Sequence, residues 1–206
     1  MNKRILIFAS GRGSNAEAIH EACESGRIKG NVVGVICDHG NAMVLRRAER
    51  WKVPATVIEK TSSMDKKEFD EKILQAALSY KPDLICLAGY MRICGENLID
   101  AFPNRIVNIH PALLPSFRGL HAQRQAIDAG VKVAGCTVHF VGIGLDDGPI
   151  ITQVSVPVYD GDTEETLSER ILTQEHPAYV RAVQAFCDDR LLVKGHHVVG
   201  MHAGEE

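Results

Sequence analysis

Short runs of Val, Ile and Leu recur between longer amphipathic stretches, and this alternation leaves few folds open to the chain. The runs fall at 4–9, 32–37, 55–59, 84–88 and 106–109. Their length and β-branched content are those of strands buried on both faces. Between them lie segments with helical spacing: 15–25, where Ala16, Ile19 and Ala22 share one face, then 44–51 and 69–77. Strand and helix in regular succession predict an α/β fold of Rossmann-like type, with a mainly parallel twisted sheet and helices on both faces. Beyond 109 the texture changes. The stretch 110–119 holds two prolines and a glycine and reads as a shaped loop. Helix is expected at 122–129, strand at 135–141, a Gly/Asp-rich loop at 142–149 and strand again at 150–158. A long helix over 163–186 opens on Thr163 followed by two acids, an N-terminal signature. The last residues, 202–206, read as a frayed tail. No linker, repeat or low-complexity block interrupts the chain, so the expectation is one domain over 1–206.

Composition narrows the function. With 206 residues and 45% hydrophobic content, the chain buries roughly 70% of its unfolded surface without staples. Twenty-three basic against 26 acidic residues give a net charge of -3, which offers no footprint for nucleic acid. No apolar run is long enough for a membrane span, and the first residues read as a strand and not as a signal. The six cysteines are scattered, without a C-x-x-C pair, as expected of reduced, buried thiols in a cytoplasm.

Two places carry chemistry. Ser10-Gly11-Arg12-Gly13-Ser14-Asn15-Ala16 joins the first strand to the first helix. Its glycines permit a tight turn, and free N–H groups at a helix start attract an anion, so a phosphate site is the natural inference. Ser14 and Asn15 add hydroxyl and amide donors. The same letters read G-x-G-x-x-A, and Asp38 lies just past the second strand, where a dinucleotide-binding domain keeps its ribose-binding acid. A nicotinamide-dependent oxidoreductase is therefore a rival, and a non-catalytic nucleotide sensor is another. A purely geometric turn is the third possibility.

The second place is the end of the 106–109 run. Asn108 and His110 alternate, so both side chains point to one face at the strand end where open α/β sheets bind ligands. An amide donor beside a proton carrier suits a reaction that develops charge on oxygen. Asp146 or Asp147, brought near His110, would hold its tautomer and favour the imidazolium, and spacing does not choose between them. His110, His121, His139 and His176 lack metal-ligand spacing, and no metal is expected. Gln174-Glu175-His176 falls inside the last helix, where a solvated face is the default.

These motifs occur in an order that carries a resemblance. S-G-R-G-S-N at 10–15, A-G-Y-M-R-I at 88–93, N-I-H-P-A-L-L-P-S-F-R-G at 108–119, H-A-x-x-Q-A at 121–126, L-D-D-G-P at 145–149 and Q-E-H at 174–176 together resemble the formyltetrahydrofolate-using formyltransferase superfamily. Within it, the chain is most similar to the phosphoribosylglycinamide formyltransferase family, the folate-dependent transformylases of purine biosynthesis. Its length leaves room for neither the extra C-terminal domain of the tRNA-directed relatives nor the extra N-terminal domain of the bacterial hydrolases.

The resemblance implies transfer of a formyl group from 10-formyltetrahydrofolate, a cosubstrate, to the amine of glycinamide ribonucleotide. It implies no metal and no tightly bound cofactor. Asn108, His110 and Asp146 would form the catalytic set. Gly13, Ser14 and Asn15 would hold the substrate phosphate, with Glu175 near its ribose or glycinamide end. The pterin would rest against Met91, Arg92, Ile93 and Cys94, Asn108, and the 142–146 loop with Ile143 and Leu145. Lys66 stands where relatives often carry arginine near the folate tail, and it lacks the planar bidentate fork. Cys94 stands where a larger aliphatic residue is common. Small-molecule substrates, a cytoplasmic location and a monomer or homodimer complete the expectation.

Overall fold

The computed structural model describes residues 2–201; the tail expected over 202–206 lies outside the described residues. The chain divides into two units, Met1–Val107 and Asn108–Glu206.

In the first unit, β1 (Lys3–Ala9) is buried without a break from Ile5 to Ala9, the mark of a strand covered on both faces. The helix α1 (Ser14–Glu24) turns Ala16, Ile19 and Ala22 inward, as its spacing requires. Next come β2 (Gly30–Cys37), α2 (Met43–Trp51) and β3 (Ala55–Val57), which ends earlier than its apolar run. The helix α3 (Lys66–Tyr80) starts before its first apolar residue, because the Asp65 side chain accepts from the Glu68 N–H and caps it. The strand β4 (Leu84–Leu87) and the short helix α4 (Glu96–Ala101) close the unit; α4 has too little sequence for its period to show. All pairings are parallel, in the order β3-β2-β1-β4. That order reverses direction between β1 and β4, and a parallel sheet binds ligands outside the carboxyl ends of the strands at such a point.

The strand β5 (Ile106–His110) crosses the division. The second unit continues through α5 (Ala122–Asp128), β6 (Val133–Phe140), β7 (Ile150–Pro157) and α6 (Glu164–Cys187). Here β6 and β7 pair antiparallel. Their connection, 141–149, is shorter than the roughly dozen residues a crossover needs, so a hairpin is the only route. Thr163 and Thr166 exchange hydrogen bonds at the start of α6 as a capping box. A terminal hairpin of β8 (Leu192–Lys194) and β9 (His197–Val199) follows. Its strands, three residues each, are too short to read as strands in advance. The chain thus has the α/β fold its pattern predicts, parallel throughout the first unit and mixed in the second. Among the described residues no helix is long and apolar enough to cross a membrane.

Candidate active site

Pro111 ends β5 just after His110, and the loop that follows is tied down from below. The Thr137 hydroxyl on β6 donates to the Ala112 carbonyl at 2.6 Å and accepts from the Leu114 N–H at 3.0 Å. The Gln153 amide on β7 donates to the Leu114 carbonyl. So held, the loop folds back over β5 through left-handed backbone at Phe117, Gly119 and His121. It delivers the Phe117 carbonyl to His110 Nε2, 2.8 Å away. A carbonyl only accepts, so Nε2 of His110 carries the hydrogen.

The 141–149 loop reaches the same place from the other side. Asp146, in the left-handed conformation that Asp tolerates, accepts the Gly119 N–H at 2.9 Å. The same carboxylate oxygen lies 3.4 Å from His110 Nδ1, and its other oxygen lies 3.7 Å from His139 Nε2. Asp147 turns away, its carboxylate lying over Gly142 and Gly144, where any β-carbon would collide with it. Two adjacent aspartates that spacing left equivalent are therefore distinct: Asp146 faces the histidines, and Asp147 shapes its own loop.

His139 completes the group, and only its place in a rejected metal set had drawn attention to it. Its Nδ1 donates to the Phe140 carbonyl at 2.8 Å, so in the neutral ring Nε2 is a bare acceptor. Asn108 Nδ2 lies 3.2 Å from that acceptor. One amide hydrogen of Asn108 is thereby bound, the amide is fixed in orientation, and the second hydrogen remains to donate. Burial holds the His139 pKa below its usual value, against the opposing pull of the Phe140 carbonyl and Asp146. A histidine closing a buried strand just before a Gly-rich loop was the available signal.

In the first unit the β1–α1 turn has the shape an anion site needs. Gly13 has φ 71° and gives α1 no side-chain cap, the form of helix start at which backbone N–H groups bind anions. A β-carbon at Gly13 would come 2.6 Å from Val44 Cγ2. Ser14 is partly exposed and Asn15 is buried. The 88–95 segment after β4 lies beside this turn: Ser10 N–H donates to the Gly89 carbonyl at 3.0 Å, and Met91 N–H donates to the Ser10 hydroxyl at 2.9 Å. Met91 and Ile93 stand 64% and 65% exposed. Arg92 turns back to Asp38, its Nε donating at 2.6 Å. Burial, with Asp70 adding to it, pushes the Cys94 thiol up to about 12.

Asp38 is not the ribose-binding acid of the oxidoreductase reading. Its side chain is 1% exposed and is occupied by Arg92 and His39. Lys66 is exposed at the start of α3, where its ammonium donates to Asp70 at 2.6 Å. That hydrogen bond raises its pKa. In the second unit, Ile143 and Leu145 expose apolar side chains on the 141–149 loop. Glu175 is only 8% exposed, which corrects the expectation of a solvated face there. It lies on the inner side of α6, near enough to Cys136 of β6 to help raise that thiol's pKa, after burial itself.

An α/β fold with Asn108 and a buried His110 at a strand end, and Asp146 brought beside them by a loop, has the features of a group-transfer enzyme. Residues 3–183 match the family described as Formyl transferase, and the chain belongs to that family. It is 41% identical, over 88% of its own length and 93% of the relative's, to a protein of Bacillus subtilis (strain 168) named phosphoribosylglycinamide formyltransferase. An Escherichia coli (strain K12) protein of the same name is 38% identical, with 91% and 88% covered. Among solved structures, glycinamide ribonucleotide transformylase 1 from Symbiobacterium toebii superposes with a TM-score of 0.93 at 49% identity, covering 95% of this chain and 92% of that one.

Proposed function

We propose that the chain transfers the formyl group of 10-formyltetrahydrofolate to the primary amine of glycinamide ribonucleotide, giving formylglycinamide ribonucleotide and tetrahydrofolate in purine biosynthesis. The observation that carries this reading is the fixed Asn108 amide beside the His110 and Asp146 pair, found in a chain whose relatives bear that activity in their names. The family match runs across both units, which supports the reading of the chain as one formyltransferase domain. A cytoplasmic location is part of the same proposal.

The chemistry follows from the geometry. The amine lone pair attacks the formyl carbon, and an oxyanion develops on the formyl oxygen. The free Asn108 N–H donates to that oxygen, already oriented by His139, so little reorganisation is needed as charge appears. A protonated His110 faces acceptors on both ring nitrogens, the Phe117 carbonyl and Asp146, and adds positive charge beside the oxyanion. The amine proton must leave and N10 must gain one as the carbon–N10 bond breaks. Asp146 and His110 form the path for that proton. The β1–α1 turn holds the phosphate through backbone N–H groups, and Glu175 belongs to the glycinamide ribonucleotide site. In the first unit Met91, Arg92, Ile93 and Cys94 serve folate binding, with Lys66 toward the folate tail; in the second unit Ile143 and Leu145 serve it.

Product analysis with formyl-labelled cosubstrate tests the proposal. Label in formylglycinamide ribonucleotide supports it. Label in free formate, with the amine unmodified, would mean a hydrolase.

A further inference from the structure

Asp38 is a buried carboxylate that the transfer chemistry does not use. Oδ2 accepts from Arg92 Nε at 2.6 Å, and Oδ1 accepts from His39 Nδ1 at 2.9 Å. The Ser10 hydroxyl donates to the same carboxylate, while accepting the Met91 N–H at 2.9 Å. A continuous chain of bonds thus runs from the Arg92 side chain through Asp38 and Ser10 back to the Met91 backbone. Both its ends lie in the irregular 88–95 segment, and its middle lies at the C-terminal ends of β2 and β1.

The segment is also anchored at its start, where the Ala88 N–H donates to the Phe8 carbonyl and the Gly89 carbonyl accepts the Ser10 N–H. Tyr90 sets its ring edge-on to Phe8 at 5.3 Å, and Arg92 lies over the Phe69 ring at 5.1 Å. Met91 and Ile93 point outward, as do residues that meet a ligand and not a core. The Met91 backbone and the Arg92 side chain, both held from inside, leave the outer edge of the segment in one conformation. Burial alone would raise the pKa of Asp38, yet bonds from Ser10, His39 and Arg92 hold it below the usual carboxylate range. The group is therefore ionised, and its bonds to Arg92 and Ser10 are charge-assisted.

We infer that Asp38 is a positioning residue for the folate cosubstrate: it clamps Arg92 directly and Met91 through Ser10, and so fixes the wall on which the pterin rests. The inference depends on reading 91–94 as that wall. It assigns Arg92 an inward, structural task, so the exposed backbone and the Met91 and Ile93 side chains meet the ligand.

Asp38→Asn keeps the shape and removes the charge; Ser10→Ala removes only the bridge to Met91. Calorimetry with a non-transferable folate analogue, carbon in place of N10, is run beside steady-state kinetics on each folded variant. Affinity for the analogue should fall about 10- to 100-fold in Asp38→Asn, the usual cost of a charge-assisted bond. It should fall by a smaller factor in Ser10→Ala. KM for the formyl donor should rise in step, with kcat at saturating donor and affinity for glycinamide ribonucleotide within about threefold of the parent. A parent that does not bind the analogue overturns the functional reading itself. A parent that binds it, with both variants binding equally well or losing both ligands in equal measure, overturns the assignment of Asp38 alone. If Asp38→Asn does not fold, Ser10→Ala decides by the same criteria.

Discussion

Replacing Asp146 by Asn tests the heart of the site, because the change removes a charge and leaves the volume. The carboxylate lies 3.4 Å from His110 Nδ1 and is almost buried, so solvent screens it little. At an effective dielectric constant of about 20, two unit charges at that distance attract by about 5 kcal/mol, an upper bound on what the imidazolium gains. The Asn oxygen can still accept the Gly119 N–H, which preserves the loop. Its NH2 then points toward His139 Nε2 and competes there with Asn108, so the oxyanion donor is disturbed as well. If about 3 kcal/mol of the attraction is realised in the transition state, single-turnover rate falls on the order of 10². Asp147→Asn is the matched control: the same chemical change one residue away, in a side chain that lies over Gly142 and Gly144, should cost less than about tenfold. Rapid-quench measurement with both ligands saturating separates this from lost binding. Near-parental turnover in Asp146→Asn, or an equal loss in Asp147→Asn, refutes the reasoning.

Gly13→Ala places a β-carbon 2.6 Å from Val44 Cγ2 on backbone at φ 71°. It should lower melting temperature and weaken glycinamide ribonucleotide binding at least about tenfold by calorimetry, with folate-analogue affinity little changed. His139 is held neutral by burial, so below its usual value near 6.5 the unfolded chain takes up a proton that the folded one refuses. Stability contributed by this site is therefore complete above about pH 6.5. It declines by up to about 1.4 kcal/mol per unit as pH falls toward the depressed folded value. Urea titrations between pH 5 and 7.5 should show a shallower acid decline in His139→Gln than in the parent, and identical slopes contradict the argument. His20, whose pKa burial also lowers, acts alike in both proteins and cancels.

How far the sequence discloses this molecule depends on whether a residue's partner is local. The strands of the first unit were legible because burial on both faces demands unbroken apolar runs, as Ile5 to Ala9 shows. The Asn108 and His110 pair was legible because strand alternation is a strictly local rule. Spacing could not separate Asp146 from Asp147, a choice that only the resemblance made, since it depends on a left-handed backbone at Asp146 that lets its carboxylate reach Gly119. His139 was hidden for a similar reason: its task is defined by Asn108, 31 residues away along the chain. Asp38 was visible but pointed to the wrong partner. Just past a β2 strand it has the position of a ribose-binding acid, and only the fold reveals that Arg92, 54 residues on, already fills it. The hairpin β8–β9 left no period to read.

The central claim is that Asn108 and His110 serve one developing charge. Single-turnover rates of folded Asn108→Ala, His110→Ala and the double variant, each with both substrates saturating, test it most directly. Asn108→Ala should lose on the order of 10² to 10³, as for one oxyanion donor, and His110→Ala on the order of 10² to 10⁴. The double variant should lose clearly less than the product of the two, because residues acting on one transition state are not additive. Losses that multiply, or a His110→Ala protein that turns over at the parental rate, would contradict the account.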